Sequence, residues 1–112
     1  MLFRSDPGLR INPIYIEDAL HVFEPALHLT SSALFNVAGD EMVTITELVK
    51  LMERTTSKEA LIKYKGMSSQ GDLMGDNIRM KRVLEVLPKV SLFEGLKAMV
   101  RSSPEGENLE NR

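Results

Sequence analysis

The amino-acid sequence predicts an α/β chain, α+β when taken in isolation, with about three short strands and four helices. Three observations predict it. Runs of β-branched and apolar residues alternate with runs whose apolar residues recur at helical spacing, in the order strand, helix, strand, helix, strand, helix, helix. Two of the helical runs open on Thr or Ser with Glu three residues later. The chain has 112 residues, 43% of them hydrophobic, which suits one domain with its own core and not two of ordinary size.

Taken in order, Asp6-Pro7-Gly8 is a turn signal closing an irregular start, and Leu9 to Ile16 is a strand rich in β-branched residues. Pro13 cannot donate to a ladder, so this strand lies at an edge or pairs only from Ile14 onward. Glu17 and Asp18 give an acidic helix start that stabilises exposed N–H groups. Ala19, Leu20, Phe23 and Leu27 continue the helix to about Leu29, with a bend where Pro25 removes the bond to the His21 carbonyl. After a Thr30-Ser31-Ser32 loop, Ala33 to Val37 is a short buried strand and Ala38-Gly39-Asp40 a turn.

Thr44-Ile45-Thr46-Glu47 is a capping box, behind which Ile45, Leu48, Val49 and Met52 form one stripe of a helix running to about Thr55. Ala60 to Lys65 alternates as a half-exposed strand, and Gly66 to Gly75 is a loop. Asp76 caps a helix carrying Ile78, Met80, Val83, Leu84 and Leu87, which Pro88 ends. Ser91-Leu92-Phe93-Glu94 opens the last helix, with Leu92, Leu96, Met99 and Val100 inward. Residues 102–112 read as a polar, disordered tail.

Composition removes several classes of function. The chain has no cysteine, so disulfides and thiolate chemistry are excluded. A formal charge of −2 gives no reason to expect nucleic acid or an anionic membrane as partner. No apolar run approaches the roughly 20 residues that cross a bilayer, and the N-terminus lacks a signal-peptide pattern, so a soluble cytoplasmic protein is expected.

No complete catalytic set emerges from the residues. Gly66 and Gly71 have the spacing of a phosphate-binding loop, but Asp72 stands where lysine is required and Leu73 where Ser or Thr is, so the stretch reads as a loop. No glycine cluster forms a dinucleotide cradle. His21, Glu24 and His28 share roughly one helical face and could hold a divalent metal, yet Pro25 interrupts that face and a solvated polar surface explains it better. Arg79, Lys81 and Arg82 near Asp76 read as a solvated basic face, and Lys63 and Lys65 beside Tyr64 as an exposed strand face. No G-x-S-x-G elbow accompanies the histidines.

Three stretches, taken in order, resemble the C-terminal third of the NAD-dependent epimerase/dehydratase family, the extended short-chain dehydrogenases/reductases. Arg10-Ile11-Asn12-Pro13-Ile14-Tyr15-Ile16-Glu17-Asp18-Ala19 is similar to the strand and helix start after that family's substrate loop. Phe35-Asn36-Val37-Ala38-Gly39-Asp40, leading into Val43-Thr44-Ile45-Thr46-Glu47-Leu48, resembles its late Rossmann strand, turn and capped helix. Gly71-Asp72, Asp76, Val83-Leu84 and the run from Pro88 to Leu96 resemble its closing segment, with Glu85-Val86 where Gly-Trp is common. Together they cover residues 9–101.

The resemblance implies a C-terminal fragment of an extended short-chain dehydrogenase Rossmann-type fold that contributes substrate binding to a nucleotide-sugar enzyme. Arg10, Asn12 and Tyr15 are the candidate substrate-binding residues. Arg10 is displaced from the usual spacing of the family's phosphate-binding arginine, and no arginine precedes Gly71-Asp72. Asn12 and Tyr15 are equally explained as a polar strand residue and a tyrosine at a core edge. The full-length family uses NAD(P) and a Tyr-x-x-x-Lys pair. Tyr15 is followed four residues on by Ala19 and Tyr64 by Ser68, so this chain alone is expected to bind no cofactor and to be catalytically incompetent. It reads as a truncated product or an excised part. A homodimer or higher oligomer is expected, by strand pairing or segment exchange at Ala33–Val37. The alternative is a non-enzymatic oligomerisation or protein-interaction module derived from that fold.

Overall fold

The computed structural model describes residues 8–63 and 71–102. The readings for Asp6-Pro7, Tyr64, Lys65, Gly66 to Gln70 and the tail from residue 103 lie outside the described residues. The elements in chain order are β1 (Arg10–Ile11), α1 (Ile16–Leu20), α2 (Phe23–Leu27), β2 (Val43–Thr44), α3 (Ile45–Thr56), α4 (Ile78–Val83) and α5 (Leu92–Ser102). The mixed α/β class is as expected, and the distribution of strand and helix differs.

The first strand is far shorter than Leu9–Ile16. β1 pairs antiparallel with β2, Arg10 opposite Thr44 and Ile11 opposite Val43, and Ile11 forms an isolated parallel bridge to Leu73. Asn12 then leaves the ladder just ahead of Pro13, which has no N–H to give. Ala33–Val37 forms no strand, and neither do residues 60–63 of the run expected at Ala60–Lys65. A strand needs a neighbouring backbone to share its polar groups. Segment 33–37 is instead held by side chains: Asn36 Nδ2 donates to the Asp76 carbonyl at 3.2 Å, and Arg79 donates to the Leu34 carbonyl at 3.1 Å while lying over the Phe35 ring.

The single bent helix expected from Glu17 to Leu29 is two short helices. Pro25 is the third residue of α2, a position whose N–H has no acceptor inside its own helix, so the proline is tolerated there and the break falls at His21-Val22. The helix expected to reach Leu87 stops at Val83. Glu85 has φ +56°, in the left-handed region, and turns the chain so that the Val86 N–H reaches the Met80 carbonyl at 3.4 Å. Glycine would adopt that conformation without strain.

Both capped helices form where expected. Thr44 Oγ1 accepts from the Glu47 N–H at 3.1 Å, and Ser91 Oγ from the Glu94 N–H at 3.1 Å. α3 ends on Ser57 in the left-handed conformation. Helices α3 and α5 pack together, and the Arg54 guanidinium lies 4.8 Å and the Lys97 ammonium 5.4 Å from the centre of the Phe93 ring.

The core centres on Met80, with Val22, Leu84 and Val86 buried around it and Ile14, Ala26 and Phe35 packed at its margin. It joins α2, α4 and the start of the 86–90 segment. Asp76 supports α4 as expected, its Oδ1 accepting from the Ile78 N–H at 3.0 Å.

Asp18 differs from its expected role as a cap of its own helix start. It is buried, and its Oδ2 accepts from the backbone N–H of Lys89 at 3.0 Å and of Val90 at 2.9 Å, more than seventy residues away in the chain. The carboxylate ties α1 to the segment entering α5.

Candidate functional site

The three candidate residues lie on one stretch of chain and face different surroundings. After β1 the chain is extended through Asn12, Pro13 and Ile14 to Tyr15, which has φ −68° and ψ 142° at the start of α1. Three segments converge on it: the 38–41 turn, the 71–77 segment and α5.

Asn12 is the bracket that joins the first two. Its Nδ2 donates to the Gly75 carbonyl at 2.7 Å and the Gly39 carbonyl at 3.2 Å, and its Oδ1 accepts from the Gly75 N–H at 2.9 Å. The amide thus pairs with Gly75 as another strand would. Gly39 approaches so closely that a Cβ there would lie 2.0 Å from the Pro13 carbonyl oxygen, and its N–H donates to the Asn12 carbonyl at 3.1 Å. From the other side, Asn77 Nδ2 donates to the Ala38 carbonyl at 3.0 Å and to Asp40 Oδ1 at 2.9 Å, and Lys81 forms an ion pair with the same carboxylate. The bond from Lys81, and then that from Asn77, hold the Asp40 carboxyl below its ordinary pKa.

Arg10 belongs to neither cavity of this region. Its Nε donates to Asp72 Oδ2 at 2.9 Å, its backbone N–H donates to Asp72 Oδ1 at 3.2 Å, and the pair is half exposed. The hydrogen bond from Arg10 lowers the Asp72 pKa, and the same bond raises that of Arg10. The Gly-Asp pair noted in the sequence therefore anchors β1.

Tyr15 lies against α5. A Cβ on Gly95 would come within 2.9 Å of the Tyr15 ring, so the glycine lets the helix ride on the aromatic face. Beside them a cleft of about 310 Å³ opens between residues 13–15, the 39–41 turn, α3 and α5, with Ile14, Leu48, Leu96 and Met99 among its apolar walls. Its rim carries Asp40 and Glu41, and Glu41 Oε2 accepts from the Leu92 N–H at 3.3 Å. A more open cavity of about 360 Å³ shares Pro13 with it and is bounded by Asn12, Phe35, Leu73 and Gly75. Concave apolar walls with polar groups at the edge suit binding. The structure thus brings Tyr15 and Asn12 to two different cavities that share Pro13, and Arg10 to neither.

His21, Glu24 and His28 are exposed on α1 and α2, and among the described residues no three His, Asp or Glu side chains gather as a metal site. No helix of the described residues is long and apolar enough to cross a membrane. Sequence reading placed Gly39 in a turn but missed its close approach to Pro13, and missed Asn77 and the long-range role of Asp18, because nothing in the local pattern announces their partners.

No protein-family model and no curated protein matches the chain. Solved structures do. UDP-glucuronic acid 4-epimerase from Bacillus cereus in complex with NAD matches 84% of this chain and 29% of its own, with 24% sequence identity and a TM-score of 0.67. A tyrosine-to-phenylalanine variant of that enzyme, in complex with UDP-4-deoxy-4-fluoro-glucuronic acid and NAD, matches 98% of this chain and 34% of its own, with 21% identity and a TM-score of 0.70. The chain has the fold of part of a UDP-sugar epimerase. It spans about a third of the length of the epimerase chains it matches. The bracket of Asn12, Gly39 and Gly75 and the Tyr15–Gly95 contact hold that portion of the epimerase fold together here.

Proposed function

We propose that this chain is the substrate-binding, C-terminal portion of an NAD-dependent nucleotide-sugar epimerase/dehydratase-like protein. The observation that carries this reading is the match to most or all of this chain by about a third of an epimerase bound to NAD. The order of the three sequence stretches supports it. Neither tyrosine has a lysine four residues on, so proton donation and hydride transfer fall to groups outside this chain, and so does NAD(P) binding. This chain's share is to bind and orient the sugar nucleotide in the cytoplasm.

Tyr15 offers the cleft wall. Arg10, half exposed in its pair with Asp72, exchanges that carboxylate for a phosphate oxygen, and Asn12 keeps the segments at the correct spacing. Titration calorimetry and thermal shift with UDP-glucuronic acid and with NAD(H) test this. The sugar nucleotide is expected to raise the melting temperature, Arg10→Ala to weaken that effect, and NAD(H) to have none. Submillimolar NAD binding by this chain, or oxidation of a sugar by it unaided, would overturn the reading. Absence of any ligand effect would favour the interaction module.

A further inference from the structure

Three N–H donors of one residue on β1 converge on one carboxylate. The Arg10 backbone N–H donates to Asp72 Oδ1 at 3.2 Å, and Nε at 2.9 Å and Nη2 both donate to Asp72 Oδ2. Two of the donors belong to a guanidinium, so the set carries a full positive charge and is complementary to an oxyanion. The carboxylate that occupies it shows this preference directly. The backbone here does not depend on that carboxylate. The Leu73 N–H donates to the Arg10 carbonyl at 2.9 Å and Ile11 bridges to Leu73, so residue 73 stays on β1 when the Asp72 side chain turns away.

We propose that Asp72 is an internal competitor at an anion site: its carboxylate holds the Arg10 donors until a diphosphate displaces it, so the site admits diphosphates and rejects carboxylates. This rests on the sugar-nucleotide reading and adds which end of the ligand Arg10 takes. Asp72 is tethered beside its donors, which gives it a high effective concentration. A ligand carboxylate brings the same single charge and must in addition give up its free motion, so it does not displace the tethered one. A diphosphate brings more charge and enough terminal oxygens for all three donors at once. Of the anionic groups of UDP-glucuronic acid, the diphosphate therefore takes the place of Asp72, and the sugar carboxylate does not. The exchange needs only the turning of one side chain, because the Leu73 bond and the bridge to Ile11 keep the backbone in place.

Titration calorimetry of the full chain with inorganic pyrophosphate at low ionic strength reads the site directly. Asp72→Asn keeps an oxygen for the Arg10 N–H and removes the charge, and is expected to bind pyrophosphate about three- to five-fold more tightly than the unaltered chain. Asp72→Glu keeps a carboxylate and is expected to show no such gain. Arg10→Ala is expected to lose the binding with either Asp or Asn at position 72, and free glucuronic acid to bind far more weakly than pyrophosphate. Circular dichroism checks that each variant is folded, and Asp72→Ser replaces Asp72→Asn if the latter is not. Four results would overturn the proposal: no pyrophosphate binding by any form, no gain in Asp72→Asn, an equal gain in Asp72→Glu, or free glucuronic acid binding as well as pyrophosphate. The sugar-nucleotide reading fails on a different result. If the pyrophosphate series behaves as expected and UDP-glucuronic acid binds no better than pyrophosphate, the competition stands and that reading falls.

Discussion

The region around Asn12 and the region from α1 to Leu34 are built on opposite principles. Around Asn12, few apolar side chains are involved, and the backbone of three segments is fixed by the amides of Asn12 and Asn77, the close approach of Gly39 and the ion pair at Asp40. From α1 to Leu34, apolar residues abound, yet Ile16, Leu20, Phe23, Leu27 and Leu34 face outward. What fixes this small chain is therefore the satisfaction of backbone polar groups by side chains from distant segments. Its two-residue ladder and small core around Met80 do less.

The largest expected effect tests the first region at its tightest point. Gly39→Ala forces a methyl group into the Pro13 carbonyl and should cost about 3 kcal/mol or more, a large part of the stability of a domain this size, read as a collapse of the denaturant midpoint. Next, Asp18→Ala leaves the part-buried bonds from the Lys89 and Val90 N–H groups without their acceptor and should cost about 2 kcal/mol. Asp18→Asn, which keeps one acceptor oxygen, should lose less, and equal losses from the two would remove the hydrogen-bond explanation.

A smaller effect of opposite sign is expected at the end of α4. Glu85→Gly relieves the left-handed conformation and should raise stability by about 1 kcal/mol, measured by chemical denaturation. The smallest belongs to the outward region. Leu34 is 82% exposed, so Leu34→Gln should change the stability of the monomer by no more than about 0.5 kcal/mol. A loss comparable to that of Asp18→Ala would erase the contrast between the two regions.

How much was legible follows the same division. The Thr44 and Ser91 caps were readable because a hydroxyl three residues before a glutamate acts within one turn. The expected strand at Ala33–Val37 was apolar and β-rich, and pattern alone cannot tell whether a neighbouring backbone will be there to pair with it. The stop at Glu85 was hidden because glutamate is an ordinary helix former, and its left-handed angle is imposed by the chain's return toward Met80. Of the candidate site, Tyr15 was found at a cleft. Asn12 was found at a cavity edge with its amide wholly engaged by the backbone, and Arg10 was found bound to Asp72.

By itself the sequence determined the mixed α/β class and the two capped helices, because each depends on the residue itself or on neighbours within a turn. Only the tertiary structure decided which segments Asn12 and Asp18 tie together, which apolar stripe is buried and which faces out. Those outcomes depend on groups up to 72 residues apart competing for the same hydrogen bonds and the same core, and local spacing carries no record of that competition.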